Sequence, residues 1–184
     1  MKGREVVIGV TGGIAAFKTA ALVSQIVQSG TNVTVVMTEA AEKFIGATTF
    51  AGLTGRPVAR NLFGDATYPL GAHIELARQA DLFCVAPATA NFLAKAATGM
   101  ADDLLSTLYL ACKCPILLAP AMNAEMWSKP SVQRNVTQLR QDGVLFVEPE
   151  SGWLSCRDEG TGRMAAPETI LAAIRSLLEK KTIA

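Results

Sequence analysis

The stretch VVIGVTGGIAAFKT, residues 6–19, decides the fold. Its first five residues form a short β-branched apolar run, which is typical of a buried strand. The glycine turn at 11–13 follows at once, and residues Ile14–Ser29 then predict a helix that Gly30 ends. A buried strand that passes through a glycine turn into a helix is the opening unit of an α/β fold with parallel strands.

The same alternation continues along the chain and predicts a parallel sheet covered by helices on both faces. The further predicted strands are Asn32–Thr38, Asp81–Ala86, Pro115–Ala119 and Val144–Val147. The further predicted helices are Glu39–Gly46, Ala47–Leu53, Ala88–Cys112 with a break near Gly99, one within Glu125–Asp142, and Glu168–Glu179. Two segments interrupt the pattern and are predicted as loops, Asn61–His73 and Pro149–Ala166. We find no repeat or linker, so residues 1–184 are expected to form one domain.

The composition is apolar: 50% of the 184 residues are hydrophobic, 18% are charged, and the mean hydropathy is +0.30. Lys and Arg number 17 against 16 Asp and Glu, so the net charge of +1 predicts no field for nucleic acid or an anionic membrane. Charges such as Lys95 and Lys113 break every apolar stretch before it reaches the roughly 18 residues of a membrane span. The charged start at residues 1–5 does not resemble a signal peptide. The apolar excess therefore favours an oligomer.

The four cysteines, Cys84, Cys112, Cys114 and Cys156, indicate neither secretion nor a metal site. A Cys-x-Cys pair with a single histidine elsewhere lacks the ligand spacing of a zinc site. We therefore expect reduced thiols in a cytoplasmic protein without a metal. Cys84 lies in a predicted strand as a core residue, whereas Cys156 lies in the second predicted loop.

The glycine turn itself admits two interpretations. A strand, a glycine turn and a helix N-terminus form an anion site, because free backbone N–H groups and the helix dipole face the ligand. Phe17 stands where a Walker A loop needs glycine before its lysine, and no G-x-G-x-x-G can be aligned here. A phosphate site and a plain tight turn remain equally supported, and Lys18 is either a ligand or a solvated charge.

Small and hydroxyl residues follow three of the predicted strands. In open parallel sheets, ligands bind beyond the carboxyl ends of the strands, near the switch in strand order. The residues delivered there are Gly12, Gly13, Thr38, Ala88, Thr89 and Asn91. Small residues let a flat ring approach the backbone, although Thr89 also fits the cap of the next helix.

Two further polar residues are candidates for chemistry. His73 is the only histidine and the only side chain that titrates near neutrality without help, although a single histidine is more often a surface or capping residue. Asn123 follows another strand end, where it either binds a carboxylate or caps the following helix.

Five motifs together point to a known family. They are TGGIAAFK (11–18), HIELARQAD (73–81), APATANFLAKAATGMADDLLST (86–107), PAMNAEMW (120–127) and SCRDEGTGRMA (155–165). In these motifs the chain resembles the homo-oligomeric flavin-containing cysteine decarboxylases, and among them the enzymes that act on phosphopantothenoylcysteine in coenzyme A biosynthesis. The resemblance covers nearly the whole chain. Its specific part is PAMN-x-x-MW combined with the isolated histidine and the cysteine loop.

The resemblance implies a Rossmann-like (flavodoxin-like) three-layer α/β sandwich that binds FMN. It also implies a homotrimer, or a homododecamer of trimers, whose neighbouring subunits complete each other's cofactor pockets. The FMN contacts carried over by position are Gly12, Gly13, Ile14, Thr38, Ala86, Pro87, Ala88, Thr89, Asn91 and Met122.

The resemblance further implies a redox-neutral decarboxylation of phosphopantothenoylcysteine to 4′-phosphopantetheine. His73 matches the family's catalytic base, and Cys156 matches the cysteine of a flexible clamp that donates a proton late in the cycle. The substrate contacts implied by position are Asn123, Met126 and Gly160. A separate phosphopantothenate–cysteine ligase is expected to act upstream. Arg157 departs from the family, whose clamp often has glycine after the cysteine.

Four other functions are compatible with parts of this pattern. A peptidyl-cysteine decarboxylase of lantibiotic maturation shares the fold, flavin, histidine and asparagine but lacks the reducing cysteine, so Cys156 argues against it. His73 and PAMN argue against a flavin prenyltransferase. A non-catalytic flavin-binding regulatory subunit is disfavoured by the intact set of His73, Asn123 and Cys156. An α/β binding module without flavin is the simplest alternative.

Overall fold

A computed structural model describes residues 1–180. The strands are β1 (Glu5–Val10), β2 (Asn32–Met37), β3 (Leu82–Ala88), β4 (Ile116–Pro120), β5 (Leu145–Phe146), β6 (Glu150–Trp153) and β7 (Glu159–Arg163). The α-helices are α1 (Ala16–Gln28), α2 (Ala47–Thr54), α3 (Ala72–Gln79), α4 (Ala90–Thr98), α5 (Leu104–Ala111), α6 (Ala124–Ser128), α7 (Pro130–Gln141) and α8 (Pro167–Lys180). A short 3₁₀ helix covers Ala41–Lys43.

The first five strands form one parallel sheet in the order β2-β1-β3-β4-β5. The chain moves outward from β1 to β2, then returns to the other side of β1 with β3, so the strand order switches between β1 and β3. The predicted parallel α/β architecture is confirmed. The prediction of a single domain covers residues 1–184, and the last four of these residues lie outside the part of the chain that the structure describes.

Alternate residues of the central strands face two separate cores. Val6, Ile8 and Val10 of β1 pack with α1, α2 and α8 on one face of the sheet. Val7 of β1 and Phe83 of β3 pack with α3, α4, α5 and α7 on the other face. Because both faces are covered, the strands are apolar at nearly every position and not at every second one. Three layers result, helices above and below one sheet.

Most predicted elements are observed, with shifted ends. The helix predicted for Glu39–Gly46 is only the 3₁₀ turn, and the one predicted for Ala88–Cys112 is two helices, because β3 continues through Ala88 and a turn at residues 99–103 separates α4 from α5. α5 begins at a capping box in which Asp103 and Ser106 exchange hydrogen bonds, and this reciprocal cap ends the turn.

The predicted loop at Pro149–Ala166 is wrong. The segment forms an antiparallel hairpin of β6 and β7, which we call the clamp hairpin. Its glycines and charged residues lack the apolar alternation of a half-buried strand, because β7 packs closely on the start of α6 and on the residues before it. The hairpin turn lies at residues 154–158, where Arg157 has a φ of +69°, the left-handed conformation that glycine adopts most readily.

The loop predicted for Asn61–His73 ends earlier than expected, because α3 begins at Ala72. Gly71, with a φ of +97°, precedes α3, so His73 lies in the first turn of a helix. Along the described chain we find no helix that has both the length and the hydropathy to cross a bilayer.

Candidate active site

One cavity of about 930 Å³ opens at the carboxyl edge of the main sheet. Its walls come from the segments that follow β1, β2, β3 and β4, together with the clamp hairpin and the turn between α4 and α5. The cavity therefore lies beside the switch in strand order between β1 and β3, where open α/β sheets bind their ligands. Its volume is in the range of small-molecule and cofactor sites, about 300–1,000 Å³.

The glycine turn after β1 forms one wall. A Cβ on Gly12 would lie 2.4 Å from the Cβ of Ala40, so only glycine lets this turn approach the segment after β2. Helix α1 starts directly behind the turn at Ala15, and within residues 1–180 no side chain caps it. The first three N–H groups of the helix, at residues 16–18, donate to backbone carbonyls, whereas those of Ile14 and Ala15 have no acceptor within residues 1–180. These two N–H groups, both in the cavity wall, and the helix dipole favour an anionic ligand.

Two buried threonines fix the floor beneath this wall. Thr11 Oγ1 donates to the carbonyl oxygen of Pro87 at 2.6 Å and accepts from the Thr89 N–H at 3.1 Å. Thr19 Oγ1 donates to the Ala86 carbonyl at 2.7 Å. The Thr11 bonds tie the end of β1 to the end of β3 across the point where the strand order switches, and the Thr19 bond ties α1 to β3.

The expected FMN contacts separate into two groups in the structure. Gly12, Gly13, Ile14, Thr38, Thr89, Asn91 and Met122 line the cavity. Ala86, Pro87 and Ala88 are buried in β3 beneath it and support the residues that line it. Thr89 lines the cavity and also caps α4, because its Oγ1 accepts the Phe92 N–H at 3.4 Å.

Asn123 likewise both lines the cavity and caps a helix. Its Oδ1 accepts the Met126 N–H at 2.8 Å, and no acceptor for its Nδ2 group is found among residues 1–180. The amide N–H donors thus remain for a ligand, while the cap fixes the side chain. Met126 lies on the rim beside it.

The clamp hairpin is anchored against the Asn123 loop by two glycines of β7. The Met122 N–H donates to the Gly162 carbonyl at 2.9 Å, and a Cβ on Gly162 would lie 2.3 Å from the Met122 oxygen. A Cβ on Gly160 would lie 2.6 Å from the Cβ of Ala124, so Gly160 holds the contact without lining the cavity. Cys156, exposed in the hairpin turn, reaches the cavity.

We expect Gly162→Ala to detach the clamp hairpin from the Asn123 loop. The new Cβ overlaps the Met122 oxygen, and the φ of +150° at this position is strained for any L side chain. A cost of about 1–3 kcal/mol is expected, seen as a lower thermal midpoint and faster proteolysis between residues 150 and 163. Gly52→Ala in α2, where a Cβ meets nothing within 4 Å, is the matched control. Unchanged stability and cleavage in the Gly162 variant would show that the anchor is unimportant.

Charged side chains in the cavity wall were largely missed by the sequence reasoning. Lys95 Nζ pairs with Asp102 at 2.6 Å and with Asp103 at 2.8 Å. Burial opposes the charge on Lys95, but the hydrogen bonds to the two carboxylates outweigh it and raise the pKa of Lys95. The pattern Asp-x-x-Ser at residues 103–106, followed by apolar residues, is typical of a helix N-terminus. This pattern could have identified Asp103 as a capping residue from the sequence.

Two other cations, Lys18 and Arg163, also line the cavity. Lys18 Nζ donates to the Met164 carbonyl at 3.2 Å. Burial, and secondarily the charge of Arg163, hold the pKa of Lys18 below its ordinary value. Trp153, which is 61% exposed, joins them from β6. Arg163 and Trp153 had no sequence signal because their strands were not predicted.

His73 does not line this cavity. It lies at the start of α3, half-buried, and its Nδ1 atom is buried without a hydrogen-bond partner among the described residues. A single chain therefore brings Asn123 and Cys156 together but leaves His73 apart from them.

The other three thiols lie outside the cavity: of the four cysteines, all within the described residues, only Cys156 lines it. Burial raises the pKa of the Cys84 thiol to about 12. A hydrogen bond with Cys114, and then burial, raise the pKa of Cys112.

Comparison with known proteins identifies relatives over nearly the whole chain. The model of the family described as Flavoprotein matches residues 1–179. The coenzyme A biosynthesis bifunctional protein CoaBC of Mycobacterium bovis is 45% identical over 177 residues, which are 96% of this chain and 42% of that protein. The chain thus spans less than half the length of this relative.

Two solved structures share the fold along the full length. The FMN-dependent cysteine decarboxylase SpaF is 36% identical with a TM-score of 0.81, and the match covers 97% of each chain. A cysteine-to-serine mutant of PPC decarboxylase, complexed with pantothenoylaminoethenethiol, is 29% identical with a TM-score of 0.85, over 97% of this chain and 100% of that one. From the match of the family model along residues 1–179, the chain belongs to the Flavoprotein family.

Proposed function

We propose that this chain catalyses the FMN-dependent decarboxylation of 4′-phosphopantothenoylcysteine to 4′-phosphopantetheine, a step of coenzyme A biosynthesis. The observation that carries the proposal is the single cavity that combines an anion-binding glycine turn with the amide of Asn123 and the thiol of Cys156. The similarity to CoaBC and to PPC decarboxylase supports it.

The cavity fits FMN on the evidence of its own geometry. The uncapped N-terminus of α1 and the glycine turn suit a phosphate, and the volume of about 930 Å³ suits a cofactor together with a small substrate. The residues that would hold FMN are Gly12, Gly13, Ile14, Thr38, Thr89, Asn91 and Met122. When bound, FMN supplies the two-electron oxidant for the substrate thiol and returns the electrons at the end of the cycle.

The substrate needs this oxidation because its cysteine carboxylate lacks an electron sink. Loss of CO₂ from the unoxidised substrate, whose side chain is still a thiol, would leave an unstabilised carbanion. A thioaldehyde places a sink β to the carboxylate, so the electron pair of the breaking C–C bond moves into an enethiolate. We propose that the Nδ2 donors of Asn123 bind the carboxylate and that Met126 packs against the same part of the substrate.

Cys156 is proposed to donate a proton when the enethiolate is reduced to the product thiol. Its exposed position in the hairpin turn lets it approach the substrate as the clamp hairpin closes. The net reaction consumes one proton and releases CO₂, so no electrons are lost or gained overall.

His73 is proposed to be the base that assists thiol oxidation, in the cavity of a neighbouring copy. Its separation from the cavity of its own chain and its unpartnered Nδ1 support this arrangement. Phe63 and Leu70, on the segment before α3, are 82% and 66% exposed and would become covered in such a contact. We propose a homotrimer, alone or as the unit of a dodecamer.

Residues 1–184 are proposed to act as one decarboxylase domain in the cytoplasm. The ligation that makes the substrate belongs to a phosphopantothenate–cysteine ligase outside these 184 residues.

A peptidyl-cysteine decarboxylase is the second candidate, and the 36% identity to SpaF, an FMN-dependent cysteine decarboxylase, supports the chemistry that the two candidates share. Incubation with phosphopantothenoylcysteine and with a peptide ending in cysteine separates the two, with CO₂ and product mass as readouts. We expect CO₂ and phosphopantetheine from the first substrate. A colourless preparation that cannot be reconstituted with FMN would refute both candidates.

A further inference from the structure

Two unneutralised cations in the cavity wall suggest how the substrate is selected. Lys18 comes from α1 and Arg163 from β7, and within residues 1–180 neither has a carboxylate at ion-pair distance. The third cation of the wall, Lys95, is paired with two aspartates. Lys95 is therefore satisfied by the protein itself, whereas Lys18 and Arg163 retain charge for a ligand.

The two cations repel each other electrostatically, and Lys18 lies close to the clamp hairpin that carries Arg163. The charge of Arg163 contributes to the lowered pKa of Lys18, and Glu150 opposes it only as the weakest influence. The ammonium of Lys18 bonds to the carbonyl of Met164, the residue after Arg163, and so is directed toward β7. A Cβ on Gly152 would lie 3.2 Å from Nη1 of Arg163, so glycine at this position of β6 leaves the guanidinium its place.

We propose that Lys18 and Arg163 bind the phosphate monoester of the substrate and thereby select phosphorylated over unphosphorylated or peptidyl cysteines. A phosphate monoester carries a charge of about −1.5 to −2 near pH 7, which matches two cations. Guanidinium and ammonium groups form short charge-assisted hydrogen bonds to such oxygens. This inference rests on the proposed decarboxylase function.

The phosphate of FMN is the other phosphate monoester in the proposed cavity, and the placement of the cations argues against it. The glycine turn and the N-terminus of α1 are already the proposed place of the cofactor phosphate. Lys18 lies in the first turn of α1, but its ammonium donates to the Met164 carbonyl and is thereby directed toward β7. Arg163 belongs to the hairpin that carries Cys156 and packs on the Asn123 loop, so it lies with the proposed substrate residues.

The test compares Lys18→Gln and Arg163→Gln with the wild-type protein on phosphopantothenoylcysteine and on pantothenoylcysteine. We expect each variant to lower kcat/KM for the phosphorylated substrate by about 10- to 100-fold, the value of a hydrogen bond to a charged group. The kcat/KM for pantothenoylcysteine should fall by a clearly smaller factor, and the flavin content should stay unchanged. Arg134→Gln, an exposed cation on α7 away from the cavity, is the matched control.

Three outcomes would overturn the inference. Loss of flavin in the variants assigns the cations to the cofactor phosphate. An equal loss of activity on both substrates with flavin retained shows a role that is independent of the phosphate. A wild-type protein that uses both substrates equally well refutes selection but leaves the decarboxylase function intact, whereas failure on both substrates refutes the function itself. The Arg163 side chain has no hydrogen bond to lose within the described residues, so its variant remains decisive if Lys18→Gln fails to fold.

Discussion

His73→Asn is expected to lower turnover of phosphopantothenoylcysteine by about 10²–10⁴-fold, the usual contribution of a general base. Flavin content should not change, because none of the residues proposed to hold FMN is altered. The measurement is CO₂ release with the flavin spectrum as the occupancy readout. Arg78→Gln, an exposed change on the same helix, is the control. Full activity of the His73 variant would refute the assignment as base.

The same variant tests whether the site is shared between subunits. Asn123→Asp should also be inactive, because its carboxylate repels that of the substrate. When the two inactive variants are coexpressed and purified as mixed oligomers, some cavities pair an intact Asn123 from one copy with an intact His73 from another. We expect activity to return in these mixtures. Mixed oligomers that stay inactive would show that His73 and Asn123 must come from the same chain.

Cys156→Ser is expected to stop the reaction after CO₂ has left. A serine hydroxyl is a much weaker acid than a thiol, so reduction of the enethiolate loses its proton donor. The product should then be two hydrogen atoms lighter than phosphopantetheine, as mass spectrometry would detect, with CO₂ still released in the first turnover. Normal product at the wild-type rate would refute the proton-donor role.

Cys112→Ser is the matched control for this experiment. Cys112 lies at the end of α5, outside the cavity, and its pKa is raised by Cys114 and by burial. Normal product mass from this control would show that the lighter product depends on the position of Cys156 and not on the loss of a thiol.

The main sheet was predictable from sequence because each strand is a short apolar run bounded by turn residues. In VVIGVTGGIAAFKT, residues 6–19, every signal agrees, because β-branched residues are followed by glycines and then by residues that favour a helix. The carboxyl ends of parallel strands necessarily lie at one edge of the sheet. The sequence alone therefore places Thr38, Thr89 and Asn123, which follow three of these strands, at the same edge. Their positions in the cavity wall agree with that expectation.

The clamp hairpin was not predictable by the same means. Its residues are half-exposed and contain three glycines, two of which, Gly160 and Gly162, are there for close contact with the Asn123 loop. Contacts between segments that are distant in sequence leave no local periodicity. The electrostatic interaction of Lys18 with Arg163 was hidden for the same reason.

The cavity draws its lining from residue 11 to residue 164, nearly the whole described chain. Its walls exist only when the sheet, α1 and the clamp hairpin have all assembled, so a partly folded chain has no binding site to offer. A ligand that binds only the native state stabilises it by RT ln(1 + [L]/Kd), about 2.7 kcal/mol at a hundredfold excess over Kd. Occupancy of this cavity would therefore protect the entire chain against unfolding, including strands that never touch the ligand.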